Sequence, residues 1–155
     1  MLLNELLRPE LIKIGLEAHN KEEAISELID LLVQEHEIAM KHRQSVLEDV
    51  FANENDLGTG MENGIAVPHT TTDHTEDIIC AVGTSAKGIP FQNLDGELTR
   101  LVVLVLAPKR NFAGEIRTLV GIQNILANET LRGQIIQATD ANSVYNLLIT
   151  EEPSV

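Results

Sequence analysis

The sequence contains no tryptophan, one tyrosine and three phenylalanines among its 155 residues. With aromatics at 3%, stacking on bases or sugar rings is not its mode of recognition. A single cysteine, Cys80, excludes a disulfide framework within the chain, and its apolar neighbours at 78–82 read as the setting of a small buried hydrophobe. Basic residues are scarce. Eleven Lys and Arg stand against 24 Asp and Glu, giving a formal net charge of −13 with no basic cluster. Such a surface repels a phosphodiester backbone, so no nucleic-acid binding is expected. No apolar run approaches bilayer length and the opening Met1-Leu2-Leu3-Asn4-Glu5 has no basic region, so we expect a cytoplasmic protein without direct membrane insertion.

What the chain does have is aliphatic mass. Hydrophobic residues make up 43% of it, enough at this length for one substantial core, and we expect a single domain over 1–155. Residues 11–16 alternate as a short strand. Asn20 followed by Glu23 fits an N-cap with a capping-box acid, and Ala24, Ile25, Leu28, Ile29 and Leu32 form one helical stripe. A second helix is expected over 41–52, with Val46, Leu47, Val50 and Phe51 as its buried face, followed by a loop over 53–64 rich in Asn, Asp and Gly. Residues 77–85 and 101–107 read as strands, the latter buried on both faces, with a loop over 87–96 between them. Helices are expected over 112–127, 131–136 and 141–149. This order predicts an α/β single-domain sandwich, a central mixed β-sheet flanked by helices.

Of five histidines, His19, His36, His42 and His74 have ordinary polar surroundings. His69 differs. It follows the apolar residues 65–67 through Pro68, which has no N–H and fixes its own φ, and a Gly-rich loop lies just upstream as a source of backbone N–H groups for an anion. Alone, this setting fits a structural histidine as well as a functional one. No metal is expected, because His69, Asp73 and His74 lack zinc-ligand spacing, and no G-x-S-x-G elbow supports a serine hydrolase.

The string Thr59-Gly-Met-Glu-Asn-Gly-Ile-Ala-Val-Pro-His69 closely resembles the Thr-Gly-Ile-Gly-Asn-Gly-Ile-Ala-(Ile/Val)-Pro-His signature of fructose/mannitol-type enzyme IIA domains of the phosphotransferase system. The resemblance extends over nearly the whole chain, through Lys87-Gly-Ile-Pro-Phe91, Asp95-Gly96 and a strand ending at Pro108. It implies a phosphotransferase without a cofactor. In such proteins the histidine phosphocarrier protein phosphorylates the signature histidine, which passes the group to a IIB protein and ultimately to a sugar. By position His69 inherits the acceptor role, and Thr59, Gly60, Asn63, Gly64 and Thr70 are implied to surround the phosphate.

Three positions depart from the pattern. The family's Arg-Glu pair ahead of the signature aligns with Asn53 and Glu54, a signature Gly becomes Glu62, and the second family histidine aligns with Glu115. An ionised Glu115 about 5 Å from a phosphoryl group repels each unit charge by roughly 3 kcal/mol at an effective dielectric of 20, unless Lys109, Arg110 or Arg117 offsets it. Alternatively Glu115 fixes the tautomer of His69, or it is a solvated acid near a helix N-terminus. The resemblance therefore leaves two readings: a phosphocarrier, and a degenerate IIA-like regulator acting by binding protein targets. A small-molecule enzyme with His69 as general base is a third, and needs a deep pocket.

Overall fold

The computed structural model describes residues 3–57, 63–91 and 95–150. A five-stranded mixed sheet lies at its centre. Strand β1 (Ile12–Ile14) runs parallel to β4 (Ile79–Ile89), and β4 runs antiparallel to β5 (Thr99–Pro108). Two short segments, β2 (Ile65–Ala66) and β3 (His69–Thr72), share the other side of β5, both parallel to it. The expected α/β sandwich is the observed fold.

Helix α1 (Leu3–Leu6) opens the chain, and α2 (Lys21–Gln34) begins at Asn20, whose Oδ1 accepts from the Glu23 N–H at 2.9 Å. The Glu23 carboxylate reaches back to the His19 N–H at 3.0 Å, one residue earlier than a standard capping box. The expected stripe Ala24, Ile25, Leu28, Ile29 and Leu32 is completely buried, packed on β4 and β5. Helix α3 (Arg43–Leu57) packs on α2 and β3. Helices α4 (Phe112–Leu126), α5 (Glu129–Gln137) and α6 (Ala141–Thr150) pack on β5, β4 and β1 respectively. Asn111 and Asn128 cap the first two of these, accepting from the N–H groups of Gly114 and Leu131 at 3.1 and 3.0 Å. Helices thus cover the sheet, and the unbroken apolar run Leu101–Ala107 is buried throughout, as a central strand requires.

The structure corrects three sequence readings. The polar run after Ala52 is not all loop, because α3 continues through Leu57. Residues 87–89 extend β4 rather than starting a loop; Gly88 at φ 84° lies within an irregularity of the β4–β5 register between Thr84 and Ile89, which breaks the apolar alternation. Finally, His69 does not trail a strand but starts one. β2 pairs with Leu101 and Val102, β3 with Val105 to Pro108, and Val67-Pro68 interrupts the line between them. Proline cannot donate to the ladder, and only its carbonyl takes part, accepting from the Val105 N–H at 3.0 Å.

Candidate active site around His69

That interruption sets the geometry of His69. The side chain is half-buried, and Nδ1 lies 2.7 Å from the Val67 carbonyl oxygen. A carbonyl only accepts, so Nδ1 carries the hydrogen, and in the neutral ring Nε2 holds the lone pair. A second contact holds the backbone: the Asn53 side-chain amide of α3 donates to the His69 carbonyl. In the sequence Asn53 stands out only as the residue in place of the family arginine, and nothing there marks it as a support of the histidine's own peptide. Thr72, at the end of β3, is fixed to the same helix through its hydroxyl, which donates to Asp49 at 2.9 Å.

Glu115 faces inward. It is 4% exposed, which overturns the reading of a solvated acid, and its Oε2 is buried with no hydrogen-bond partner among the described residues. Burial pushes its pKa up, with a smaller opposing influence from His69, which is thus an electrostatic neighbour of Glu115. Nor does Glu115 fix the imidazole tautomer, since the Val67 carbonyl holds Nδ1. The cations suggested as compensation are turned elsewhere: Lys109 pairs with Asp73 at 3.2 Å, Arg110 donates to the Glu76 carbonyl, and Arg117 is exposed. Thr118, three positions on from Glu115, is buried, with its hydroxyl donating to the Gly114 carbonyl at 2.9 Å.

Around this pair the other expected phosphate contacts divide. Gly64, at φ 76°, tolerates no side chain easily, because a Cβ would come within 3.3 Å of the Leu98 carbonyl oxygen. Its own carbonyl accepts from the N–H groups of Arg100 and Leu101 at 2.8 and 3.0 Å, tying the end of the loop to β5. The Asn63 N–H is engaged by the Asp95 carboxylate at 3.0 Å, which holds that acid below the usual carboxylate range. Thr70 is half-buried beside His69, its hydroxyl donating to the Thr71 carbonyl at 3.2 Å. Thr59, Gly60 and Glu62 lie outside the described residues.

Helix α4 is oriented against its own hydrophobic pattern. Near its start the buried face is Gly114, Glu115 and Thr118, whereas Phe112, Ile116 and Val120 are 59%, 45% and 49% exposed. Spaced four apart, these three form an apolar stripe that flanks Glu115. Two cavities of about 570 and 590 Å³ border α5, and neither is lined by His69. No group of three or more His, Cys, Asp or Glu among the described residues is placed to hold a metal ion, and no helix among them is long and apolar enough to cross a membrane.

Comparison with known proteins agrees with this architecture. Residues 5–151 match a family model described as the phosphoenolpyruvate-dependent sugar phosphotransferase system, EIIA 2. The chain is 27% identical over 148 residues to the PTS system fructose-specific EIIABC component of Bacillus subtilis, covering 96% of this chain but only 23% of that protein. The crystal structure of nitrogen regulatory protein IIA-Ntr from Neisseria meningitidis superposes with a TM-score of 0.85 at 22% identity, covering 94% of this chain and 98% of that one. Enzyme IIAMTL in its complex with phosphorylated enzyme IIBMTL, both from Escherichia coli, gives 0.78 at 24% identity, with 93% and 97% covered.

Proposed function

Because the chain belongs to the EIIA 2 family of the phosphoenolpyruvate-dependent sugar phosphotransferase system, we propose that it is a phosphocarrier whose His69 accepts a phosphoryl group on Nε2. The observation that carries this reading is the Nδ1–Val67 contact, which in the neutral imidazole leaves the lone pair on Nε2. The donor is the histidine phosphocarrier protein. Nε2 attacks phosphorus, the P–N bond of the donor breaks, and the donor nitrogen recovers its electron pair. Nδ1 keeps its hydrogen on the Val67 carbonyl throughout, so the ring of His69 loses no proton, and Asn53 holds the peptide in place. On a IIB partner, the partner's nucleophile forms the new bond to phosphorus, the P–Nε2 bond breaks and Nε2 recovers its electron pair, which returns the imidazole to its starting state.

Transfer between two proteins requires a surface on which each can dock. The exposed stripe Phe112, Ile116 and Val120 beside the site supports protein partners over a small-molecule substrate. The IIB assignment draws its support from the mannitol IIA–IIB complex named above.

A second reading, that of a regulator acting by binding protein targets, is favoured by one observation: both basic residues nearest the start of α4, Lys109 and Arg110, are directed toward the segment 73–76 rather than the site. The test separates the two. The purified protein and its His69→Ala variant are incubated with phosphoenolpyruvate, enzyme I and the histidine phosphocarrier protein, and weighed by intact mass spectrometry. The carrier reading expects one added phosphate on the parent protein alone. An unmodified parent protein, with a control IIA labelled in the same mixture, selects the regulator.

A further inference from the structure

The unpartnered Oε2 of Glu115 calls for its own account, since buried polar atoms in folded proteins are nearly always hydrogen-bonded. We propose that the Glu115 carboxyl, in its protonated form, donates a hydrogen bond to the phosphoryl group on His69, so that phosphorylation of this protein takes up a proton. The proposal rests on His69 being the acceptor.

The chemistry of the groups dictates the form. A phosphoryl group presents acceptor oxygens and negative charge. A carboxylate is acceptor-only and would repel it, whereas a carboxylic acid has one O–H to give. The setting favours the acid. Burial already raises the pKa of Glu115, and a dianion arriving at the neighbouring imidazole raises it further.

No other described charge takes over the role. Strand β5 carries no titratable side chain from Leu101 to Pro108. Preceding α4, Lys109 is paired with Asp73 and Arg110 is bonded to the Glu76 carbonyl, while on α4 itself Arg117 is exposed. On α5, Arg132 donates to the Leu126 carbonyl at 2.7 Å and Glu129 is exposed. Across β3, α3 offers Asp49, which accepts from Thr72, and the buried Glu54, which has an interaction of its own. Of the described titratable groups, His69 is the one that influences Glu115.

The balance closes without another reactant. One P–N bond breaks and one forms, His69 keeps its Nδ1 hydrogen, and the proton bound by Glu115 comes from water whenever that carboxyl is ionised before transfer. The equilibrium constant for transfer must then fall as pH rises, by at most about tenfold per pH unit for one proton.

The experiment measures that equilibrium between the phosphorylated histidine phosphocarrier protein and this protein, from about pH 5.5 to 8.5, for the parent protein, Glu115→Gln and Glu115→Ala. The donor's own titration is common to all three and cancels in ratios. Gln keeps a donor and cannot ionise. The parent constant should approach that of Glu115→Gln at low pH and drop below it at high pH, and Glu115→Ala should be weaker than Glu115→Gln at every pH. Should Glu115→Gln fail to fold, infrared difference spectra of the parent protein decide: phosphorylation should increase the protonated-carboxyl C=O band. A pH-independent parent-to-Gln ratio, or no gain in that band, overturns the proposal while leaving the acceptor intact. Absence of labelling at every pH, or labelling of His69→Ala, instead defeats the acceptor reading.

Discussion

Replacing Glu115 by Gln should stabilise the unphosphorylated protein at neutral and alkaline pH and do so progressively less on acidification. The Glu115 carboxyl is 4% exposed, with one oxygen unpartnered. Burial raises its folded pKa above the ordinary carboxylate range, so between the unfolded and folded values the native state binds more protons than the unfolded one. Stability therefore falls with rising pH in that window, and is fully present only below the unfolded value. A buried polar group without a partner costs about 1–3 kcal/mol, and an ionised one costs more. Glutamine removes the charge at similar volume, and its own buried amide shifts the comparison by an amount that does not depend on pH. Urea denaturation at a series of pH values reads the difference directly. The two stability curves should run parallel below about pH 4 and diverge above it by at least about 1 kcal/mol, worth roughly 2–4 °C in Tm per kcal/mol for a chain of this size. Curves that stay parallel to pH 8, or a parent protein that gains on the variant as pH rises, would refute the argument. Carboxylates elsewhere are common to both proteins and drop out.

Charging the α4 stripe by Ile116→Glu should raise the concentration of phosphocarrier protein needed for half-maximal labelling at least tenfold, with stability changed by only about 0.5 kcal/mol because the side chain is 45% exposed; equal labelling kinetics would remove the stripe from the docking surface. Cys80 is fully buried and its thiol is pushed up to about 12, so it should resist a thiol-specific disulfide reagent in the native protein and react on addition of denaturant. Fast reaction without denaturant would contradict the packing of β4.

Periodicity in the sequence located the elements whose burial follows simple rules. The stripe from Ala24 to Leu32 and the apolar run from Leu101 to Ala107 are core because nothing competes with their packing. The same logic fails where the surface serves another purpose. Ile116 and Val120 carry a helical apolar period and point outward, while Glu115 and Thr118 point inward, so hydrophobic pattern alone inverts the early part of α4. Strand β3 is invisible for a related reason: His69-Thr-Thr-Thr72 has no alternation, and its pairing is supplied by β5. His69 itself was legible through the motif that ends on it. Its tautomer was not, because a contact two residues back along the backbone leaves no trace in residue types.

The proposed acceptor atom is Nε2 of His69. This assignment is tested most directly by NMR of the phosphorylated protein labelled with ¹⁵N in its histidines, with the site fixed by tandem mass spectrometry. One phosphohistidine, at position 69 and bonded through Nε2, is the predicted result. A phosphoryl group on Nδ1, or on any other residue, would contradict it.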